Sequence, residues 1–322
     1  MNFTVNERGS ADGFCLIKSV EKRTSSKGGA YLDITFCDKT GEINGKLWDY
    51  NEELHGSFSA GELVKVRGII SQYNGADQIK VERIRKAVES DNLDPSDFVK
   101  EAEYGGKQMY DELVRIANSF TDQDIKKLTL HIYEEHKDEL LVWPAAYKMH
   151  HAIRGGLMMH TLSIVRMCEA ACNVYPSVNH DLLIAGAMLH DVGKVYEFDL
   201  NSVGTVNAYT SEGNLIGHLV KGAMLIDKAA DELGTDPKIK MLLEHMLISH
   251  HGVPEFGAAV RPLFIEAELL STFDNVDAFV YEMEEAVEET APGDFSKKVW
   301  GLDDRKFYNH GLNGVSTDVK LF

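Results

Sequence analysis

The sequence predicts two domains in series, a small all-β barrel and then an all-α helical bundle, and three observations predict it. Short alternating or β-branched runs, separated by turn-forming residues, occupy the chain up to about Ser90 and then stop. Apolar residues at helical spacing fill most of the remaining chain. The charge divides at the same place. Of 33 Lys+Arg and 51 Asp+Glu, Met1 to Ser90 holds 13 of each, so the whole formal excess of −18 lies in the later segment, which carries 20 basic against 38 acidic residues. A net charge of that sign argues against a polyanionic partner when it is spread over the surface. Here it leaves the strand-rich part neutral.

Five runs read as strands: Phe14 to Ser19, Ala30 to Phe36, Glu42 to Trp48, Glu62 to Gln72 and Asp77 to Arg85. Lys27-Gly28-Gly29, Asp38-Lys39-Thr40-Gly41 and Asn74-Gly75 supply the turns. With a short helix between the third and fourth strands, the pattern suggests a closed barrel such as an OB-fold. Alternation alone leaves an SH3-like barrel or a small sandwich open. Ser90 to Asp97 is polar, contains Pro95 and reads as a linker. Helical spacing then runs through Lys107 to Phe120, Asp122 to Leu141 with Thr121 as N-cap, Leu157 to Cys172, His180 to His190, Leu215 to Leu233, Pro237 to His250, Ile265 to Phe279 and Val280 to Glu289. The acidic run Glu282, Glu284, Glu285, Glu288, Glu289 reads as a solvated helix face.

At 44% hydrophobic and 26% charged, the 322 residues can bury one large or two ordinary cores, which excludes disordered, collagenous and disulfide-scaffold classes. No long apolar run and no secretory h-region are present, so a soluble, cytoplasmic protein is expected. Cys15, Cys37, Cys168 and Cys172 show no CxxC spacing and read as small packed residues.

Histidine is the uneven residue. Of 13, 11 fall between His131 and His251, where an even spread gives about five. Within that stretch lies an ordered set: His160, His190-Asp191, His218, His250-His251 and then Asp274, mostly on or at the ends of predicted helices. His160 shares a helix face with Leu157, Ile164 and Cys168, so its imidazole points inward and needs a partner. Imidazoles with carboxylates suit Mn²⁺, Fe²⁺, Co²⁺ or Zn²⁺, whereas all-oxygen sites suit Mg²⁺ and Ca²⁺. Asp277, three residues after Asp274, is the alternative last ligand. His245, His150 and His151 read as supporting residues, and His55, His131, His136, His180 and His310 as surface or core residues.

His190-Asp191-Val192-Gly193-Lys194 resembles the signature of the HD superfamily of metal-dependent phosphohydrolases. His218 and His250-His251 match its two-metal subset. The closer resemblance is to the YhaM family of 3′-to-5′ exoribonucleases, which join an N-terminal OB-fold to an HD domain. It rests on His150 to Leu157, His160 to Ser163, Glu212 to His218, Ser249 to Gly252, Glu266-Ala267-Glu268, Pro292 to Phe295 and Leu302 to Tyr308. It covers nearly the whole chain apart from the tail 309–322. The cyclic-dinucleotide branch carries Gly-Tyr-Pro where this chain has Gly252-Val253-Pro254, and trinuclear members carry a Glu where it has Gly156. The resemblance implies an OB-fold nucleic-acid-binding domain over 1–88, a linker with connecting helices over 89–140, and an HD domain with a C-terminal extension over 141–322.

It further implies two divalent ions, Mn²⁺ first, with Co²⁺, Fe²⁺ or Zn²⁺ as alternatives. Such a pair lowers the pKa of a shared water and clamps the attacking and leaving oxygens at phosphorus. Asp191 is the bridging carboxylate of that scheme, and Lys194 neutralises a non-bridging phosphate oxygen; Arg154 and Arg305 are further phosphate candidates. The expected reaction is hydrolysis of terminal phosphodiesters of single-stranded RNA, with single-stranded DNA as a second substrate class. Strand capture falls to the barrel, where Lys46 and Trp48 share one face of the third strand, Lys65 and Arg67 one face of the fourth, and Tyr31 and Tyr73 are further aromatics. Trp48 also suits a lid over the barrel core. Two other readings stay open: an HD phosphohydrolase or phosphodiesterase acting on a nucleotide or signalling nucleotide, with the barrel mediating homo-oligomerisation, and a regulatory nucleic-acid-binding protein with an inactive metal site.

Overall fold

The computed structural model describes residues 3–5, 9–26, 28–73, 75–94, 97–99, 101–147, 153–201 and 203–312. Lys27, Asn74, Pro95 with Ser96, His150 with His151, and the tail beyond 312 lie outside the described residues. The chain forms two compact units, Met1–Glu101 with Leu200–Asn207, and Ala102–Asp199 with Ala208–Phe322.

In the first unit, β1 (Thr4–Val5), β2 (Ser10–Thr24), β3 (Ala30–Asp38), β4 (Gly41–Leu47), β5 (Leu63–Tyr73) and β6 (Ala76–Lys86) form one sheet in the order β1-β2-β3-β4-β6-β5. The sheet closes because β2 is long enough to serve two neighbours. Its first half pairs with β5, from Ser10↔Ile69 to Leu16↔Leu63, and its second with β3, from Leu16↔Cys37 to Thr24↔Ala30, with a bulge between Ile17 and Ser19. β4 and β6 pair in parallel. Five strands thus close an OB-fold barrel, with β1 as a short addition and α1 (Glu52–His55), capped by the Asn51 side chain, between β4 and β5.

Alternation sets the core: Leu32, Ile34 and Phe36 from β3, Ile43 and Leu47 from β4, Val64 and Val66 from β5, Ile79 and Val81 from β6. The first strand is longer at both ends than expected. Residues 21–24 of β2 are exposed and polar, so no apolar pattern marks them as strand. The expected linker begins with a 3-10 turn, Glu89–Asp91, whose Asp91 accepts two hydrogen bonds from Arg85, at 2.7 and 2.8 Å.

The second unit packs α2 (Gly106–Asn118), α3 (Gln123–Glu135), α4 (Lys137–Leu140), α5 (Gly156–Val174), α6 (His180–Leu189), α7 (Lys194–Glu197), α8 (Ser211–Leu215), α9 (Gly217–Leu233), α10 (Pro237–Ser249) and α11 (Ile265–Glu288). From Asp181 to Leu189 every residue of α6 is buried, as a helix apolar on all sides must be, and its neighbours pack around it. Among the described residues no helix is long and apolar enough to cross a membrane.

Several expectations for this part of the chain need correction. α11 is one 24-residue helix, not two, because Ala278-Phe279-Val280-Tyr281 contains no breaker. The helix expected from Leu215 is divided by Gly217, whose φ of 73° only glycine adopts without strain, and this turn sets His218 in the first turn of α9. The helix expected over Asp122 to Leu141 breaks at His136. Not everything after the linker is helical either: β7 (Phe198–Leu200) and β8 (Val206–Tyr209) form a two-stranded ribbon.

The N-cap of α3 is Asp122 in place of Thr121. Thr121 is engaged elsewhere, its amide and hydroxyl both donating to Asp181 Oδ2, at 2.6 and 2.8 Å, alongside the Asp122 amide at 2.8 Å. Burial raises the Asp181 carboxyl, but the Asp122 amide, His180 and Thr121 outweigh it and hold it below the usual range. A carboxyl lower in the folded than in the unfolded chain stabilises above its unfolded value, and this is lost as pH falls through the folded one. Asp181→Ala is therefore expected to cost about 2 kcal/mol near neutral pH in urea unfolding. The gap to wild type should narrow below about pH 4. Equal stability at pH 7 would contradict this account.

Candidate metal centre

The candidate ligands come from several helices of this unit and from the turns at their ends. His160 sits on the buried face of α5 with Leu157, Ile164 and Cys168 and is fully inaccessible. His190 is the C-cap of α6 and Asp191 follows in the tight turn to α7, where the Lys194 amide donates to the Asp191 carbonyl at 3.0 Å. His218 comes from the start of α9, His250 from the C-cap of α10, His251 from the residue after it, and Asp274 and Asp277 from α11.

Their rings are anchored from behind. His190 Nδ1 lies 2.8 Å from the Ala187 carbonyl, His250 Nδ1 2.7 Å from that of Leu247, and His251 Nδ1 2.7 Å from that of Phe256. A carbonyl only accepts, so each Nδ1 carries the proton and each Nε2 presents its lone pair. Carboxylates do the same for the other two: Asp277 Oδ2 is 2.7 Å from His160 Nδ1, and Glu197 Oε2 is 2.7 Å from His218 Nδ1. The His218 contact is close but off the direction of a ring hydrogen bond. Carboxylate and carbonyl partners on the far nitrogen are how metal-ligating histidines are oriented.

The Nε2 atoms converge on Asp191. Its Oδ2 lies 3.2 Å from His190 Nε2 and 3.7 Å from His160 Nε2, and its Oδ1 lies 3.4 Å from His218 Nε2 and 3.7 Å from His250 Nε2. Asp274 Oδ1 joins the first group, 3.1 Å from His160 Nε2 and 4.0 Å from His190 Nε2. Two clusters of metal-binding geometry result, His160-His190-Asp191 and His218-His250-His251. Asp191 Oδ1, His218 Nε2 and His250 Nε2 are buried with no hydrogen-bond partner, a costly arrangement for polar atoms that a cation would satisfy. The residues present therefore fit divalent metal.

The electrostatics fit as well. Burial raises Asp191, but Lys194, His190 and His218 outweigh it and hold the carboxyl well below the usual range; His160 does the same for Asp274. Burial, then neighbouring imidazoles, pushes His250 and His251 down, so both stay neutral with lone pairs free. Burial opposes charge on His160, yet Asp274 and Asp277 push it up to about 9, so this corner attracts positive charge.

Sequence reasoning left Asp274 and Asp277 as alternatives. The structure gives them separate places, Asp274 on the Nε2 side and Asp277 behind His160. Glu197 was missed, since nothing in the sequence marks a carboxylate six residues after Asp191 as facing His218. Glu197→Ala is expected to lower metal affinity about 10- to 100-fold, read from the rise of Tm with metal concentration. Glu197→Gln should recover part of the loss. Unchanged affinity in both variants would remove Glu197 from the site.

Lys194 is buried, with Nζ 2.5 Å from Asp191 Oδ2, and the Trp143 indole donates to its carbonyl at 2.8 Å. It lines a cavity of about 610 Å³ with Asp191, His218, His251 and Asp274. Arg154 and Arg305 do not line it, and Arg305 donates to the Leu302 carbonyl. His245 instead accepts from the Leu263 amide.

On the barrel, the candidate nucleic-acid residues fall on two strand groups. On β3, β4 and the turn after it, where the expected third strand ends one residue early at Leu47, Trp48 is 41% exposed with its ring centroid 4.6 Å from that of Tyr31, while Lys46 Nζ lies 5.1 Å over Tyr31 and 3.3 Å from Asp33. On β5, Lys65 and Arg67 stand opposite Arg85 and Arg83 of β6, and Lys65 and Arg85 both lie over the Phe14 ring.

Fold and centre together define the class: a metal-dependent phosphohydrolase of HD type that carries an OB-fold. The family model described as "HD domain" matches residues 157–278, and that described as "OB-fold nucleic acid binding domain" matches residues 16–87. The chain is 38% identical over 309 residues to the 3′-5′ exoribonuclease YhaM of Listeria monocytogenes, covering 96% of this chain and 97% of that one, and equally to that of Listeria welshimeri. Among solved structures, the HD domain of the L. monocytogenes phosphodiesterase PgpH is 17% identical, with a TM-score of 0.30, over 47% of this chain and 78% of that one. The chain belongs to the YhaM family of 3′-5′ exoribonucleases.

Proposed function

We propose that this chain is a two-metal 3′-to-5′ exoribonuclease that shortens single-stranded RNA and releases nucleoside 5′-monophosphates. The observation that carries this reading is Asp191, whose two oxygens face two separate groups of Nε2 atoms, so that one carboxylate would serve two ions. His160, His190 and Asp274 would hold one ion, and His218, His250 and His251 the other. Their mixed imidazole and carboxylate set suits Mn²⁺, Fe²⁺, Co²⁺ or Zn²⁺ alike, and the family resemblance puts Mn²⁺ first. Divalent ions held there supply Lewis acidity and a nucleophile at neutral pH.

The oxygen of water joins the phosphorus of the terminal nucleotide, and the bond from that phosphorus to the preceding 3′ oxygen breaks. This leaves a new 3′ hydroxyl on the chain. Lys194 Nζ, at the cavity wall beside Asp191, neutralises a non-bridging phosphate oxygen. The barrel binds the strand, with Trp48 and Tyr31 as a stacking platform and Lys46, Lys65 and Arg67 as phosphate partners.

The test is purified protein on 5′-labelled single-stranded RNA and DNA, with Mn²⁺ or with chelator. The expected result is a metal-dependent ladder shortening from the 3′ end, with nucleoside 5′-monophosphates as products; the DNA lane reports whether the sugar is discriminated. Hydrolysis of mononucleotides with RNA left intact would overturn the reading.

A further inference from the structure

The cavity beside the metal centre is walled by more aromatic surface than binding a phosphate requires. Eight Phe, Tyr and Trp side chains are exposed among the described residues of the helical unit, and five of them, Tyr147, Tyr209, Phe256, Phe279 and Trp300, line this one cavity. Trp300 stands out at 83% exposure. An indole kept for packing would be covered.

Its exposure is built in. Trp300 opens a 3-10 turn, Trp300–Leu302, anchored by Leu302, which is 2% exposed. The arm on either side closes on itself through antiparallel bridges Phe295↔Tyr308 and Val299↔Arg305 and through the Ser296 amide donating to the Phe307 carbonyl at 2.8 Å. Asn309 Nδ2 fastens the arm to the end of α11 by donating to the Thr290 carbonyl at 2.7 Å. The ring is held at the cavity wall by a braced arm. Across α11, Asp274, Ala278 and Glu282 share the helix face that lines the same cavity, so the wall that carries the indole adjoins the wall that carries a candidate ligand.

We propose that Trp300 is the stacking platform for the base of the 3′-terminal nucleotide, so that the enzyme grips the residue it is about to release by its π-face. This rests on the exoribonuclease reading above and extends it to the terminal base. A cavity of about 610 Å³ lies within the range that takes ligands of nucleotide size. Stacking accepts every base, because each has a π-face, which suits an enzyme that must remove successive nucleotides of any identity. Lys194 and the metal-binding residues meet the phosphate, and Trp300 the base of the same nucleotide.

The experiment uses the full chain with Mn²⁺ and two 5′-labelled oligoribonucleotides of one sequence, one with an intact 3′-terminal nucleotide and one whose terminal residue is abasic. The rate of first cleavage is measured on each. Wild type is expected to cut the intact end about tenfold faster or more. Trp300→Ala should bring the ratio of the two rates close to one, and Trp300→Phe should restore most of it. A fold defect slows both substrates alike and leaves the ratio unchanged, so an unchanged ratio in Trp300→Ala overturns the proposal. If wild type shortens neither oligonucleotide, the exoribonuclease reading itself fails. If it shortens both at equal rates, that reading stands and only the base contact is lost.

Discussion

Asp191→Ala is expected to lower the rate of RNA shortening by about three orders of magnitude or more, equivalent to roughly 4 kcal/mol in the activation barrier. Asp191 faces both groups of imidazoles with its carboxylate, through Oδ2 to His190 and His160 and through Oδ1 to His218 and His250. Removing it takes away the carboxylate that faces both clusters and leaves the buried Lys194 ammonium without its partner at 2.5 Å. Breaking a buried pair from one side costs about 3–5 kcal/mol of stability, so loss of activity by Ala alone could reflect unfolding. Asp191→Asn separates the two effects. It keeps the volume and one acceptor while removing the charge, so it should stay folded, hold less metal by elemental analysis and show little of the metal-induced rise in Tm, worth about 2.7 kcal/mol when metal is at a hundred times its Kd. An Asp191→Asn protein that binds metal and cuts RNA as wild type does would remove Asp191 from the centre.

Gly193→Ala should be nearly as damaging, although Gly193 bears no functional group. Its φ of −61° suits any residue, so the requirement is one of space. A Cβ there would lie 2.2 Å from the His218 carbonyl oxygen and 2.9 Å from the Gly222 amide nitrogen, and both are backbone atoms that no rotamer change can move aside. The turn carrying Asp191 and the first turn of α9 carrying His218 can approach only because residue 193 is glycine. The added methyl is expected to cost about 1–3 kcal/mol of stability. By pushing His218 away from Asp191 Oδ1, it should also slow catalysis about 100-fold, the scale of a displacement near 1 Å. Thermal unfolding and single-turnover cleavage report the two effects. A Gly193→Ala protein with wild-type rate would show that the α9 backbone gives way freely.

The ordered histidines and aspartates were legible because the residues that matter are chemically distinctive and their helices are periodic. His160 could be turned inward on Leu157, Ile164 and Cys168 alone, and all three are buried. Alternation put Lys46 on the face opposite Ile43, Gly45 and Leu47, and those three are buried. The groups that hold the rings were not legible. The carbonyls of Ala187, Leu247 and Phe256 belong to every residue alike and leave no mark in a sequence, and Glu197 is one carboxylate among many until α7 and α9 are brought together. The acidic run on α11 was read as solvated, which holds for Glu284, Glu285, Glu288 and Glu289, whereas Glu282 lines the cavity. Lys46 and Lys65 are equivalent as basic strand residues, and only strand order separates their groups, since β4 and β5 are not neighbours.

By itself, then, the sequence determined the two kinds of domain, one neutral and one acidic, and a set of candidate metal-binding residues, because hydrophobic period and side-chain chemistry are local properties. The tertiary structure alone decided that Asp274 faces the Nε2 atoms while Asp277 stands behind His160, that Asp191 divides its oxygens between two clusters, and that Trp300 reaches the same cavity. Those outcomes depend on distances of a few ångströms between residues far apart in the chain, and such distances are set by helix packing.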